Sequence, residues 1–123
     1  MSTNQITRVD QSVSKLADTI PAEKLISGKS PTSLWNAFSD ASEQFHVGQW
    51  SSEACKLHVS YSENELCVLL EGTVRMENSE GESWTFSKGE AFVIPAGFAG
   101  TWESVTPVRK IYAAFEATPD QGA

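Results

Sequence analysis

The chain has 123 residues, 40% of them hydrophobic, and a formal net charge of −7. That length makes one domain, and it buries roughly two-thirds of the surface exposed by the unfolded chain, enough for a core without disulfides or structural metal. The negative charge argues against a nucleic-acid partner, which needs clustered Lys and Arg, and against an anionic membrane surface.

Residues 1–20 are polar, with Val9, Val13, Leu16 and Ile20 spaced four, three and four apart. The spacing permits a short amphipathic helix, weakened by β-branched residues; a mobile arm fits equally well. Met1 to Arg8 lacks the apolar core of a signal peptide and no run is long enough to span a membrane, so a cytoplasmic location is expected. Pro21 and Pro31 bracket a segment that reads as an edge strand or irregular arm.

From Thr32 the pattern is one of short strands. Ser33–Phe38 ends at the turn-forming Ser39-Asp40-Ala41-Ser42. In Phe45–Trp50, Phe45, Val47 and Gln49 oppose His46, Gly48 and Trp50; in Cys55–Tyr61, Lys56, His58 and Ser60 oppose Leu57, Val59 and Tyr61. Glu65–Leu70 is apolar on both faces after its first residue, as in a strand covered on both sides. Gly72 bends the chain into Thr73–Glu77, and Ser83–Phe86 returns as a hairpin partner. Next come the turn at Gly89, the apolar Ala91–Ile94, a Pro95-Ala96-Gly97 corner, a strand through Trp102, and a last strand Val108–Phe115. About eight strands with frequent turns predict an all-β sandwich or barrel. Cys55 and Cys67 lie in strand-like segments without metal-site spacing, and in a reducing compartment read as buried free thiols.

These residues resemble the cupins, small jelly-roll β-barrels. The family's second motif, G-x5-P-x-G-x2-H-x3-N, is matched by Gly89, Pro95 and Gly97, but Gly100 and Ser104 stand at the His and Asn places. The first motif is G-x5-H-x-H-x3,4-E-x6-G. Counting back from Gly72 gives Glu65, and the longer spacer puts His58 and Ser60 at the two His places. The strings Phe45–Trp50, Glu65–Cys67, Ala91–Phe98, Gly100–Glu103 and Val108–Tyr112 are similar to the ureidoglycine-aminohydrolase-like cupins, across roughly residues 26–115. The resemblance implies a single-domain cupin jelly-roll β-barrel over 26–116, an N-terminal arm or short helix over 1–25, and a flexible tail over 117–123.

Metal-dependent members hold a divalent ion with three His and one carboxylate. This chain keeps His58 and Glu65 at those places, fewer donors than the three plus water of a typical catalytic site. No cofactor is therefore expected; manganese, zinc, nickel or iron is the alternative, with His46 as a substitute ligand. If His58 and Ser60 point inward, Leu57, Val59 and Tyr61 point outward with Leu66, Val68 and Leu70, and that apolar surface calls for a homodimer partner or the N-terminal arm. Glu65 in an apolar strand needs a cation, a His or an Arg, and with His58 is the candidate acid–base group. The candidate pocket is His58, Ser60, Glu65, Phe98, Trp102 and Tyr112, the alternative being that Trp50, Phe98 and Trp102 only fill the barrel. Glu103, Arg109 and Lys110 read as surface or rim charges. Function is thus expected to be binding of a small polar or amine-bearing metabolite, with an aminohydrolase-like metalloenzyme and an accessory scaffold as alternatives.

Overall fold

The computed structural model describes residues 4–117. They contain strands and no helix: β1 (Leu16–Thr19), β2 (Leu25–Gly28), β3 (Pro31–Ser39), β4 (Phe45–Ser52), β5 (Cys55–Ser60), β6 (Asn64–Glu71), β7 (Thr73–Asn78), β8 (Ser83–Ser87), β9 (Ala91–Ile94), β10 (Ala99–Ser104) and β11 (Val108–Phe115). One sheet runs β1-β3-β4-β11-β6-β9, the other β2-β5-β10-β7-β8. All pairings are antiparallel. This is the expected all-β jelly roll, with two facing sheets that do not close into a continuous barrel. Among the described residues no helix is long and apolar enough to cross a membrane.

The region before β3 contributes two strands of its own. Residues 4–15 carry no regular secondary structure, β1 adds to the edge of β3, and β2 adds to β5. The arm docks where the Gln49 side-chain amide donates to the Val9 carbonyl at 3.1 Å. Most of the predicted tail, residues 118–123, lies outside the described residues.

The two sheets share one core. Cys67, Leu69, Phe92, Ile94 and Val108 from the first meet Val74, Met76 and Trp102 from the second. Phe86 of β8 stacks on Phe92 of β9 with centroids 4.0 Å apart, bridging the sheets at one side. Trp50 meets Trp102 edge-on at 5.7 Å. The chain crosses from β6 to β7 at Gly72, whose φ of 91° is open to glycine and where a Cβ would run into the Pro107 carbonyl.

The outer faces differ in kind. Across the first sheet the register aligns Phe38, Val47, Ala113, Leu66 and Val93 in one outward row. Across the second it aligns Lys56, Glu103, Arg75 and Thr85. One face is apolar, the other charged.

Candidate functional site

Between the sheets lies a cavity of about 520 Å³, within the range of small-molecule sites. Strand alternation decides its lining. From β4 come His46 and Trp50, from β11 Lys110, Tyr112 and Ala114, and from β3 Leu34 and Asn36. Leu57 and Val59 of β5, Tyr61 just beyond it, and Trp102 of β10 form the opposite wall, with Glu63 and Glu65 as the carboxylates.

The floor is an ion pair. Lys110 Nζ donates to Glu65 Oε2 at 2.6 Å, and the Cys67 thiol donates to the same oxygen at 3.2 Å. Nζ also lies 3.4 Å from Cys67 Sγ. The ammonium sits 4.4 Å from the Trp102 ring centroid and 5.2 Å from that of Trp50. Lys110 is only 6% exposed. Burial disfavours its charge, but the Glu65 carboxylate 2.6 Å away outweighs that, so its pKa is raised and the ammonium persists at neutral pH. Burial is also the first cause at Cys67, with the Glu65 charge adding to it, and its thiol is pushed up to about 12. Tyr61 and Tyr112 are raised chiefly by burial. A persistent ammonium and a persistent thiol supply neither a Schiff-base amine nor a thiolate nucleophile at neutral pH.

The rim is a directed hydrogen-bond chain. Tyr112 OH donates to Asn36 Oδ1 at 2.7 Å, and Asn36 Nδ2 donates to Ser39 Oγ at 2.9 Å. Ser39 Oγ and His46 Nδ1 are 2.6 Å apart, while His46 Nε2 lies 3.0 Å from the Glu43 carbonyl. A carbonyl only accepts, so Nε2 carries a proton and donates to it, and Nδ1 shares the remaining hydrogen bond with the Ser39 hydroxyl. Both ring nitrogens are therefore committed.

Of the candidate pocket residues, the structure brings Glu65, Trp102 and Tyr112 together and separates the others. His58 and Ser60 point outward: His58 is exposed beside Lys56, Glu77 and Thr101, and Ser60 is exposed as well. Leu57, Val59 and Tyr61, expected outside, line the cavity instead. The error is one residue of spacer. With three residues rather than four before Glu65, the two His places of the first motif fall on Val59 and Tyr61, and a one-residue shift flips every side chain of a strand. Phe98 packs against Tyr61 and Trp84 and lines a separate apolar cavity of about 310 Å³ with Phe86 and Phe92. Lys110 is not a rim charge but the buried partner of Glu65. Its signal was parity, since Lys110 shares a strand face with Tyr112.

The donor set does not fit a tightly held divalent ion. The four motif positions carry Val59, Tyr61, Glu65 and Gly100. A Cβ on Gly100 would collide with the Glu77 carbonyl, so this backbone has no room for a His there. Glu65 is paired with an ammonium, and among the described residues no three His, Cys, Asp or Glu side chains are grouped as ligands.

The EutQ-like cupin domain model matches residues 39–112. The chain belongs to this cupin family. It is similar to a protein of unknown function from the DUF861 family of Pseudomonas syringae pv. tomato, with 26% identity and a TM-score of 0.76 over 86% of this chain. It spans only 46% of that protein. A DUF861 family protein from Thermotoga maritima is 33% identical over 52% of this chain and 73% of that one, with a TM-score of 0.51. A putative ethanolamine utilization protein Q from Salmonella typhimurium has 17% identity and a TM-score of 0.64, covering 87% of this chain and 99% of that one, a likeness of fold. A comparison with curated proteins gives no match.

Proposed function

We propose that this EutQ-like cupin binds a small polar molecule in the cavity above Glu65 and Lys110. One observation carries the reading: an open cavity of about 520 Å³ with Trp50, Leu57, Val59 and Trp102 in its walls and the Glu65–Lys110 ion pair among its few polar groups. Apolar walls supply contact area and the few polar groups set orientation. The test is a metabolite screen by two-dimensional NMR of the indole N–H groups. Binders should shift the Trp50 and Trp102 signals while leaving that of Trp84, which lies outside this cavity. A broad panel of polar metabolites that leaves both signals unmoved would favour the scaffold reading instead.

An aminohydrolase-like metalloenzyme is the finer alternative. It would need an ion among Val59, Tyr61, Glu65 and Gly100, and those side chains give it little support. A cytoplasmic location is supported by Cys55 and Cys67, both free and buried.

The partner reading rests on the outer face of the first sheet. Leu66 is 42% exposed between Ala113 and Val93 in its apolar row, with Phe45 and Phe115 paired nearby. We propose that a second copy of the chain covers this face. Light scattering should give twice the chain mass at micromolar concentration, and Leu66→Asp should give a folded monomer. A monomeric parent protein would refute the dimer.

A further inference from the structure

The ion pair also states what charge the ligand carries, if the cavity is the binding site proposed above. Glu65 Oε2 is saturated by Lys110 and Cys67. Oε1 accepts no hydrogen bond from the described residues. No buried polar side-chain atom is left without a partner among them, so Oε1 must touch open space, and Glu65 lines the cavity. The same reasoning opens the Tyr61 hydroxyl, which has no hydrogen bond from the described residues, to that space. The cavity thus offers one carboxylate oxygen that only accepts and one phenol that can donate or accept.

The cation is already spent. Lys110 gives its hydrogen bonds to Glu65 and Cys67, and its remaining side faces the Trp102 and Trp50 rings. Two of the three ammonium protons are taken and the side left over faces the rings, so an anionic ligand gains little from Lys110, while Glu63, which has no ion-pair partner among the described residues, would repel one. A cationic ligand must enter beside the Lys110 ammonium, which already neutralises Glu65 and takes the ring faces that would hold it, leaving Glu63 as the one lining carboxylate to attract it. We infer that the cavity selects an uncharged small molecule carrying an N–H or O–H donor, which Glu65 Oε1 accepts, with an apolar body against Trp50, Leu57 and Val59. Lys110 is then an internal counter-ion: it holds Glu65 Oε2 and leaves Oε1 to the ligand without touching the ligand itself.

Benzamide, benzoate and benzylamine test this on the parent protein, since they share one apolar body and differ in charge at neutral pH. Titrations followed by the Trp50 and Trp102 indole signals should show benzamide binding at least about ten-fold more tightly than either charged analogue. Benzoate or benzylamine binding as well as benzamide would overturn the charge inference while leaving the cavity as a binding site. Failure of all three at millimolar concentration would count against the cavity itself. Lys110→Met gives a second reading. With the resident ammonium gone, benzylamine should overtake benzamide and raise the variant's melting temperature more. Unchanged preference in a folded Lys110→Met protein would show that Lys110 does not set the selection. If that variant does not fold, the comparison on the parent protein still decides.

Discussion

Lys110→Met is the substitution that most directly tests how this core is held together. Lys110 is 6% exposed and its partner Glu65 is nearly as buried, with 2.6 Å between Nζ and Oε2. Removing one member of a buried pair strands the other charge, at about 3–5 kcal/mol. Loss of the contacts with Trp102 and Trp50 adds about 1–2 kcal/mol. Methionine returns part of this, because its unbranched chain keeps the apolar stem contacts of the lysine. The net expectation at pH 7 is a loss of about 3–4 kcal/mol, a large fraction of the 5–15 kcal/mol typical of a domain.

Urea unfolding followed by tryptophan fluorescence reads this directly, as a lower midpoint at unchanged slope. The pH dependence tests the cause. A stranded Glu65 carboxylate can discharge by taking a proton, so the deficit relative to the parent should shrink as pH falls from about 7 toward 5. In the parent, the raised pKa of Lys110 means that its contribution is complete below the usual lysine value near 10.5 and lost only above it. Adding Glu65→Leu to Lys110→Met removes the stranded charge and should restore stability to within about 1 kcal/mol of the parent. A single variant within about 1 kcal/mol of the parent at pH 7, or a deficit indifferent to pH, would refute the buried pair.

Three further substitutions probe the surroundings. Ser104 is fully buried and receives the Trp102 indole N–H at 2.9 Å while bonding Ser52 at 2.8 Å, so Ser104→Ala should cost about 1–3 kcal/mol, measured by the same urea titration. Gly48→Ala would bring a methyl carbon against the Trp35 carbonyl and within 2.7 Å of the Tyr112 hydroxyl; a destabilisation of about 1–3 kcal/mol is expected, with the Tyr112–Asn36 contact broken in a crystal structure. The Cys67 thiol should resist iodoacetamide at pH 8 until the protein unfolds, as peptide mapping would show. Because its pKa rises from 9.0 to about 12 on folding, its contribution is complete below pH 9 and lost as pH climbs toward 12. Cys67→Ala should therefore flatten the fall in stability between about pH 9 and 10.5, and an unchanged slope would contradict the shift.

Much of the architecture could be read from local chemistry. Gly72, Gly89 and Gly97 all adopt positive φ at the turns where the pattern placed them, and Pro95 follows directly on the end of β9. The division of β4 into an inward His46, Gly48 and Trp50 and an outward Phe45, Val47 and Gln49 was visible as alternation and is what the sheet register shows. β1 was harder: Leu16–Thr19 is a short, exposed edge strand held by its pairing with β3, so no buried face wrote a pattern into it.

The cavity was legible only in part, for a reason specific to strands. Alternation says which residues share a face but not which face is inside. For β5 that choice came from a motif spacer that tolerates two lengths, and the one histidine in the strand drew the count to the longer. Hydrophobicity pointed the other way: Leu57, Val59 and Tyr61 against Lys56, His58 and Ser60 is the division of a strand whose apolar side meets the core. The ligand-based count had made that apolar side the outside, which required a second sheet face to be covered from without. Lys110 would have resolved the conflict. An inward Tyr112 puts Lys110 inward with it, an inward Lys110 demands an anion, and Glu65 on the neighbouring strand β6 is the acid that answers. Once that pair occupies the floor, β5 has no ion to help bind, and its apolar side is free to become the wall.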